Sequence, residues 1–123
     1  MLRGSLKSKK SRACEFSQAE RTAIFNRDGG CIFCNMGYMP SEYAGTYMGY
    51  AHYIPRSDNG LGIRENGVLM CQYHHNMMDN GNKGNRQEML DIVKGYLQEH
   101  YKDWDEENLR YNKWSALAIK QVL

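Results

Sequence analysis

The residues with the most chemical capacity in this chain form a composite pattern: Cys31-x-x-Cys34, then His52, then Asn66, then Cys71-x-x-His74-His75-x-x-x-Asp79. Cys31, Cys34, Cys71 and His74 supply three thiolates and an imidazole, a soft donor set that suits tetrahedral zinc. Each two-residue spacer lets one tight turn present both of its ligands to a single ion. The two pairs are well separated in sequence, so that ion would staple distant segments, and its binding free energy would count as folding free energy. The competing reading is free buried cysteines with a chance spacing. His75 stands about 100° around a helix from His74, so the neighbouring imidazoles can serve different ions. Asp79 lies four residues beyond His75, on the same helical face. One nitrogen and one carboxylate leave positions open for water and phosphate oxygens, as a hydrolytic site requires. The spacing thus predicts a closed structural site beside a harder, open one.

The surrounding sequence must supply the turns, strands and helices that hold these groups. Ser17 and Glu20 have the spacing of a capping box, and Ala19, Ala23 and Ile24 mark an apolar face, so a helix is predicted from Ser17 to Arg27. Asp28-Gly29-Gly30 ends it in a tight turn and delivers Cys31. Tyr50-Ala51-His52-Tyr53-Ile54 has strand character and stops at Pro55, with Val68-Leu69-Met70 as an antiparallel partner. Between them Arg56 to Gly67, with three glycines and two asparagines, is expected to be a long irregular loop. Cys71 to Asp79 should form a short helix closed by Asn80-Gly81. After a Gly/Asn hinge, Met89, Leu90, Ile92, Val93, Tyr96, Leu97, His100 and Tyr101 repeat at helical spacing. Past Trp104 a looser apolar segment with Leu109, Tyr111, Trp114, Leu117 and Ile119 is expected to clamp down.

At 123 residues the chain is one domain by length, with a core small enough that a structural metal would help. The expected division is a basic flexible arm at 1–13, a metal-bearing domain at 14–85 and a helical extension at 86–123 packed on it. No apolar run approaches the roughly 18 residues of a membrane helix, and no secretory signal is visible, so a reducing cytoplasm is the expected compartment. There, paired cysteine spacing favours metal over disulfides; Cys14 is left over as an ordinary small residue. The net charge of +2 hides an uneven distribution. Arg3, Lys7, Lys9, Lys10 and Arg12 stand without an acid at one end, a plausible grip on phosphates or merely a solubilising tail. Arg56, Lys83 and Arg86 could extend a phosphate track, or be plain surface cations. Tyr38, Tyr43, Tyr47, Tyr50 and Tyr53 could stack on bases, although packing is the better expectation.

Ala51-His52-Tyr53-Ile54-Pro55-Arg56-Ser57, then Asn66, then Cys71-x-x-His74-His75 resembles the HNH endonuclease family, particularly its small phage and prophage members with a zinc knuckle. The Arg27-to-Cys31 lead-in and the Leu61-to-Asn66 stretch look like that family too, so the resemblance covers about residues 17 to 81. It implies an α+β fold with a small ββα-metal (His-Me finger) core and a structural zinc, flanked by an N-terminal and a C-terminal helix. It further implies that His52 is the general base that activates water, that Asn66 braces the loop that orients His52, and that His75 ligates a catalytic Mg²⁺, Mn²⁺ or Ni²⁺. Family members often carry an acid or a second histidine directly before the base. Here that position is Ala51, and Asp79 is expected to compensate, with Asp58 as another candidate. The implied activity is hydrolysis of DNA phosphodiesters to 5′ phosphate and 3′ hydroxyl ends, by nicking or double-strand cleavage. The implied setting is a phage- or prophage-encoded protein in a bacterial cell, acting beside terminase and portal proteins in genome packaging. The rival expectation is a zinc-containing nucleic-acid-binding or phage assembly module without turnover.

Overall fold

A computed structural model describes residues 8–112. Within them the chain is α+β, with a two-stranded antiparallel sheet packed among short helices. The order is α1 (Lys9–Cys14), α2 (Gln18–Asp28), α3 (Ile32–Asn35), β1 (Met48–His52), β2 (Gly67–Cys71), α4 (Gln72–Asp79) and α5 (Arg86–His100). Single 3₁₀ turns at Arg56–Asp58, Arg64–Asn66 and Glu106–Leu109, and a kinked turn at Gly81–Gly84, shape the connections. No helix among the described residues is long and apolar enough to cross a membrane. Trp114, Leu117 and Ile119 lie outside the described residues, as do Arg3 and Lys7.

The hairpin pairs Met48 with Cys71 and His52 with Gly67, so β1 begins two residues earlier than its apolar pattern suggests and ends two residues earlier. Its pleat divides the interior into two clusters. Ala51, Val68 and Met70 face Ile32, Phe33, Met78, Met89, Val93 and Leu97, which belong to α3, α4 and α5. Tyr50 and Leu69 face Phe16 and Ile24 on the other side. The outer edge of β2 would carry unmet backbone groups. Asp28 Oδ2 accepts from the Leu69 N–H at 2.7 Å, and Arg27 Nη2 donates to the Gly67 carbonyl at 2.6 Å, so the last turn of α2 closes that edge.

Two local expectations need correction. Residues up to 13 were expected to form a flexible arm, yet Lys9–Cys14 is helical. Ser8 caps it by accepting from the Ser11 N–H, and the Ala13 carbonyl accepts from the Gly62 N–H at 2.9 Å. Six residues are too few for a helix to stand alone; docking against the 60–62 loop supplies what periodicity does not. At α2, Ser17 does accept from the Glu20 N–H, but the reciprocal half of the capping box is absent. The Glu20 carboxylate instead takes the Arg64 N–H at 2.7 Å and the Arg64 guanidinium at 3.0 Å, which holds its pKa below the ordinary value. The left-handed Gly29 (φ 68°) ends α2 as its sequence indicates.

Asp28 and Arg27 tie three elements together. The Asp28 side chain is sealed from solvent and accepts from Arg27, from the Leu69 backbone and from the Tyr96 hydroxyl of α5. Arg27 also donates to the Arg64 carbonyl and to Tyr101. Burial works against its charge, but Asp28 and Tyr101 outweigh that and raise its pKa. Removing one partner of such a buried pair leaves an uncompensated charge. Asp28→Ala is expected to cost about 3–5 kcal/mol, read as a lower denaturant midpoint; a shift below about 1 kcal/mol would mean the pair behaves as a surface ion pair.

Candidate metal centre and active site

Cys31 at the N-cap of α3, Cys34 inside it, Cys71 at the end of β2 and His74 in the first turn of α4 converge, with ligand atoms within 4.8 Å of one another. Sγ of Cys31, Cys34 and Cys71 lie 3.6, 3.6 and 3.3 Å from His74 Nδ1, and Cys34 and Cys71 are 3.8 Å apart. A tetrahedron with Zn–S of ~2.3 Å and Zn–N of ~2.05 Å has S···S and S···N edges of about 3.8 and 3.6 Å. The cluster therefore fits a zinc ion. His74 Nε2 lies 2.7 Å from the Tyr38 carbonyl, an acceptor only, so Nε2 carries the proton and Nδ1 presents its lone pair to the thiols. That is the outer hydrogen bond expected of a metal-bound histidine.

The thiols respond unequally to their surroundings. Burial pushes the Cys34 thiol up to about 12, reinforced by its neighbours Cys31 and Cys71. Burial also opposes ionisation of Cys71, but the backbone N–H groups of Gly45 and His74, then the His74 and Cys34 side chains, outweigh it and bring Cys71 down to about 6. Cys71 sits at the N-terminal end of α4, where a negative charge is favoured.

His52, the last residue of β1, is half-buried on the Phe16 side of the hairpin. Its ring packs on Phe16 with centroids 4.3 Å apart. Nε2 is 2.7 Å from the Cys14 carbonyl at the end of α1, which can only accept, so Nε2 is protonated and Nδ1 is left as the basic atom. Burial lowers the pKa of His52 below its ordinary 6.5; the Cys14 carbonyl pulls the other way, and the Arg56 charge adds to the lowering.

Asn66 is fully buried. Its Oδ1 accepts from the Ile54 N–H at 2.8 Å, and Nδ2 donates to the carbonyls of Ile54 and Leu61 at 3.1 and 2.8 Å. The amide thus clamps the chain just after His52 to the 61–66 loop. A hydrophobic residue could fill that space but could not make these three bonds.

His75 Nε2 and Asp79 Oδ2 are 3.7 Å apart on the exposed side of α4. They form a pair; among the described residues, the cluster of three or more close ligands is the Cys31/Cys34/Cys71/His74 group. Asp58 lies exposed in the turn after Pro55, apart from that pair. Ala51 is 4% exposed and faces the core. The His52 and His75 rings share no hydrogen bond or ring contact among the described residues.

Of the basic residues, Lys9 and Lys10 are exposed on α1, and Arg56 reaches from the 3₁₀ turn to the Ser11 carbonyl of the same helix at 3.5 Å. Lys83 and Arg86 are exposed around the turn between α4 and α5. The tyrosines divide: Tyr38 and Tyr53 donate to Glu88 and Glu106, and Tyr50 packs on Phe16 beneath Arg21. Tyr43 and Tyr47 are 71% and 84% exposed.

The contribution of the 13–16 segment went unread in the sequence. Cys14, taken as an ordinary small residue, supplies through its backbone the oxygen that fixes the His52 tautomer. Gly62 and Gly67 admit this segment: a Cβ on Gly62 would lie 2.2 Å from the Glu15 carbonyl, and one on Gly67 2.6 Å from the Phe16 ring. The usable signal was Phe16, a lone large apolar residue just before a helix cap.

No family model, no curated protein and no solved structure matches this chain.

Because Cys34 holds its proton at neutral pH while zinc needs thiolates, zinc binding should release protons. Titrating zinc into metal-free protein in weak buffer at pH 7 is expected to acidify the solution up to one equivalent of metal, and chelation to abolish cooperative unfolding. Binding without proton release would place the ion elsewhere.

Proposed function

We propose that this protein is a metal-dependent endonuclease of the HNH type that hydrolyses DNA phosphodiesters, built on a ββα-metal core formed by β1, β2 and α4. The observation that carries the reading is the state of His52. A histidine whose Nε2 proton is pinned to a backbone carbonyl, whose Nδ1 is bare and whose pKa is lowered is a base at neutral pH rather than an acid. Asn66 supports the reading by anchoring the residues that follow the base to a second loop, so that neither can drift without breaking buried hydrogen bonds. Phe16 limits rotation of the ring.

His75 and Asp79 would hold the catalytic divalent cation, Mg²⁺, Mn²⁺ or Ni²⁺; nitrogen and carboxylate donors on an exposed helix face suit an ion that keeps open positions. When bound, it supplies charge stabilisation to the phosphate and the leaving 3′ oxygen. Nδ1 of His52 takes the proton of the attacking water. Arg56, beside the base and anchored to α1, is suited to a phosphate oxygen, and Lys9 and Lys10 on that helix continue the positive track. Lys83 and Arg86 add charge beyond α4. Zinc in the Cys31/Cys34/Cys71/His74 cluster serves the scaffold. Work in a bacterial cell on phage DNA beside terminase or portal proteins belongs to the same reading.

A nucleic-acid-binding or assembly module without turnover is favoured by two observations: Ala51 offers no ligand and is buried, and the β1 pleat sets His52 on the Phe16 side while α4 packs on the other. Supercoiled plasmid with Mg²⁺, Mn²⁺ or Ni²⁺ separates the two. Wild-type protein is expected to nick or linearise it, and His52→Ala to lose about 10²–10⁴-fold in rate while keeping its zinc and its melting temperature. Equal rates would remove His52 from the chemistry.

The pH profile is a second test. Because the pKa of His52 is lowered, the neutral base is present throughout the neutral range and is lost only as pH falls through a midpoint below 6.5. Cleavage at saturating metal should be flat above that midpoint, and a rate still climbing past pH 7 would indicate another base.

A further inference from the structure

A cavity of about 390 Å³ opens beside the C-terminal end of α4, lined by Met39, Tyr73, Met77, Asn80, Asn82, Lys83 and Asn85. Its size lies in the ~300–1,000 Å³ range of small-ligand pockets. Its chemistry is divided: two methionines and a tyrosine give apolar walls, three carboxamides give hydrogen-bonding edges, and Lys83 gives a cation that makes no ion pair among the described residues.

One of the carboxamides has a fixed orientation. The Glu88 carboxylate takes the Tyr38 hydroxyl proton at 2.6 Å, so the phenol oxygen is an acceptor for its next partner, Asn82 Nδ2 at 3.1 Å. Asn82 must therefore turn its amide nitrogen toward Tyr38 and its Oδ1 away. Asn82 is 8% exposed, and its Oδ1, which accepts no hydrogen bond among the described residues, keeps access to solvent and so stands open to a donor. The backbone around it is strained as well. Met39, Asn82 and Lys83 all adopt left-handed φ values of 41°, 48° and 54°, unfavourable for residues with a Cβ.

We infer that this cavity holds a single unpaired nucleobase of a DNA substrate, with the base between Met39, Tyr73 and Met77, its Watson–Crick edge donating to Asn82 Oδ1, and the adjoining phosphate on Lys83. The inference rests on the nucleic-acid reading above and deepens it. Apolar faces, an edge donor and a neighbouring negative charge are the features of one nucleotide, and they match the walls, the acceptor and the cation in turn. The base must be unpaired because a base pair would already use that edge donor. Asn80 directly follows Asp79, so a base held here belongs to a nucleotide near the phosphate offered to the His75 and Asp79 pair.

The test uses zinc-loaded His52→Ala protein, so that binding is read without cleavage, and three short duplexes: fully paired, with one bulged adenine, and with an abasic site in place of that adenine. The bulged adenine is expected to bind at least about tenfold tighter than the paired duplex, as for a base stacked on protein side chains, and the abasic bulge to lose that gain. Met77→Trp, which fills the cavity, should remove the preference while leaving paired-duplex affinity unchanged. Lys83→Gly should weaken bulge binding while holding or raising the melting temperature, because glycine accepts the left-handed backbone. That combination distinguishes a site from a structural turn, and it stands even if Met77→Trp fails to fold. Equal affinity for all three duplexes, or for the abasic and adenine bulges, overturns the proposal. Bulge preference in a protein whose wild type does not cleave would keep this pocket and discard the nuclease reading; cleavage without bulge preference would do the reverse.

Discussion

Three thiols and an imidazole drawn within 4.8 Å of one another form a donor set that could hold a cation, and segments distant in sequence meet at it. Its thiols do not share one preference for the proton. Backbone donors at the start of α4 favour Cys71 as a thiolate, while Cys34, a few ångströms away, is driven to keep its proton. A dication would resolve this by stabilising every thiolate at once. The four residues come from the α3 turn and from the junction of β2 with α4, so one ion bound there would fix the position of that junction. α4 has only eight residues and cannot hold its own direction.

On the opposite side of the hairpin the work falls to polar groups that cap backbone. Asp28 and Arg27 close the outer edge of β2 and reach α5 through Tyr96 and Tyr101. Asn66 closes the loop beyond β1. The end of α1 brings the Cys14 carbonyl to His52 through the close approach that Gly62 and Gly67 permit. None of these bonds contributes much alone, but each would leave a buried donor or acceptor unmet if broken, so they resist displacement more strongly than their number suggests. His52 is thus held from three directions: by the strand behind it, the Phe16 ring beside it and the Cys14 carbonyl at Nε2.

What the sequence made legible was whatever depends on neighbours along the chain. Cys-x-x-Cys and Cys-x-x-His spacing located the Cys31/Cys34/Cys71/His74 cluster. Ser17, Gly29 and Asn80-Gly81 marked helix ends, and the repeat from Met89 to Leu97 marked α5, because those signals act within one or two turns. What it hid depends on partners tens of residues away. Glu20 had the spacing of a reciprocal cap, yet Arg64 competes for it with a guanidinium and a backbone N–H together. Asp28 had the look of a turn former, although its carboxylate belongs to β2 and α5. α1 has no apolar period to read, since its ordering comes from the loop it docks on. The same limit applies to the candidate site: residue types could nominate His52, but its tautomer depends on a carbonyl 38 residues away.

The consecutive imidazoles of α4 have opposite surroundings. His74 points inward, fully buried, with both ring nitrogens committed, Nδ1 to the thiol cluster and Nε2 to the Tyr38 carbonyl. His75, one step around the helix, is partly exposed, with Nε2 3.7 Å from Asp79 Oδ2. Tyr38 extends the inner commitments outward, because its hydroxyl orients Asn82 in the turn just past the far end of that helix. The Cys/His cluster, the His75/Asp79 pair and the side cavity are therefore linked through α4 and Tyr38. A disturbance of the thiol cluster would be felt first at the turn that follows Asp79, where three of the strained backbone positions meet.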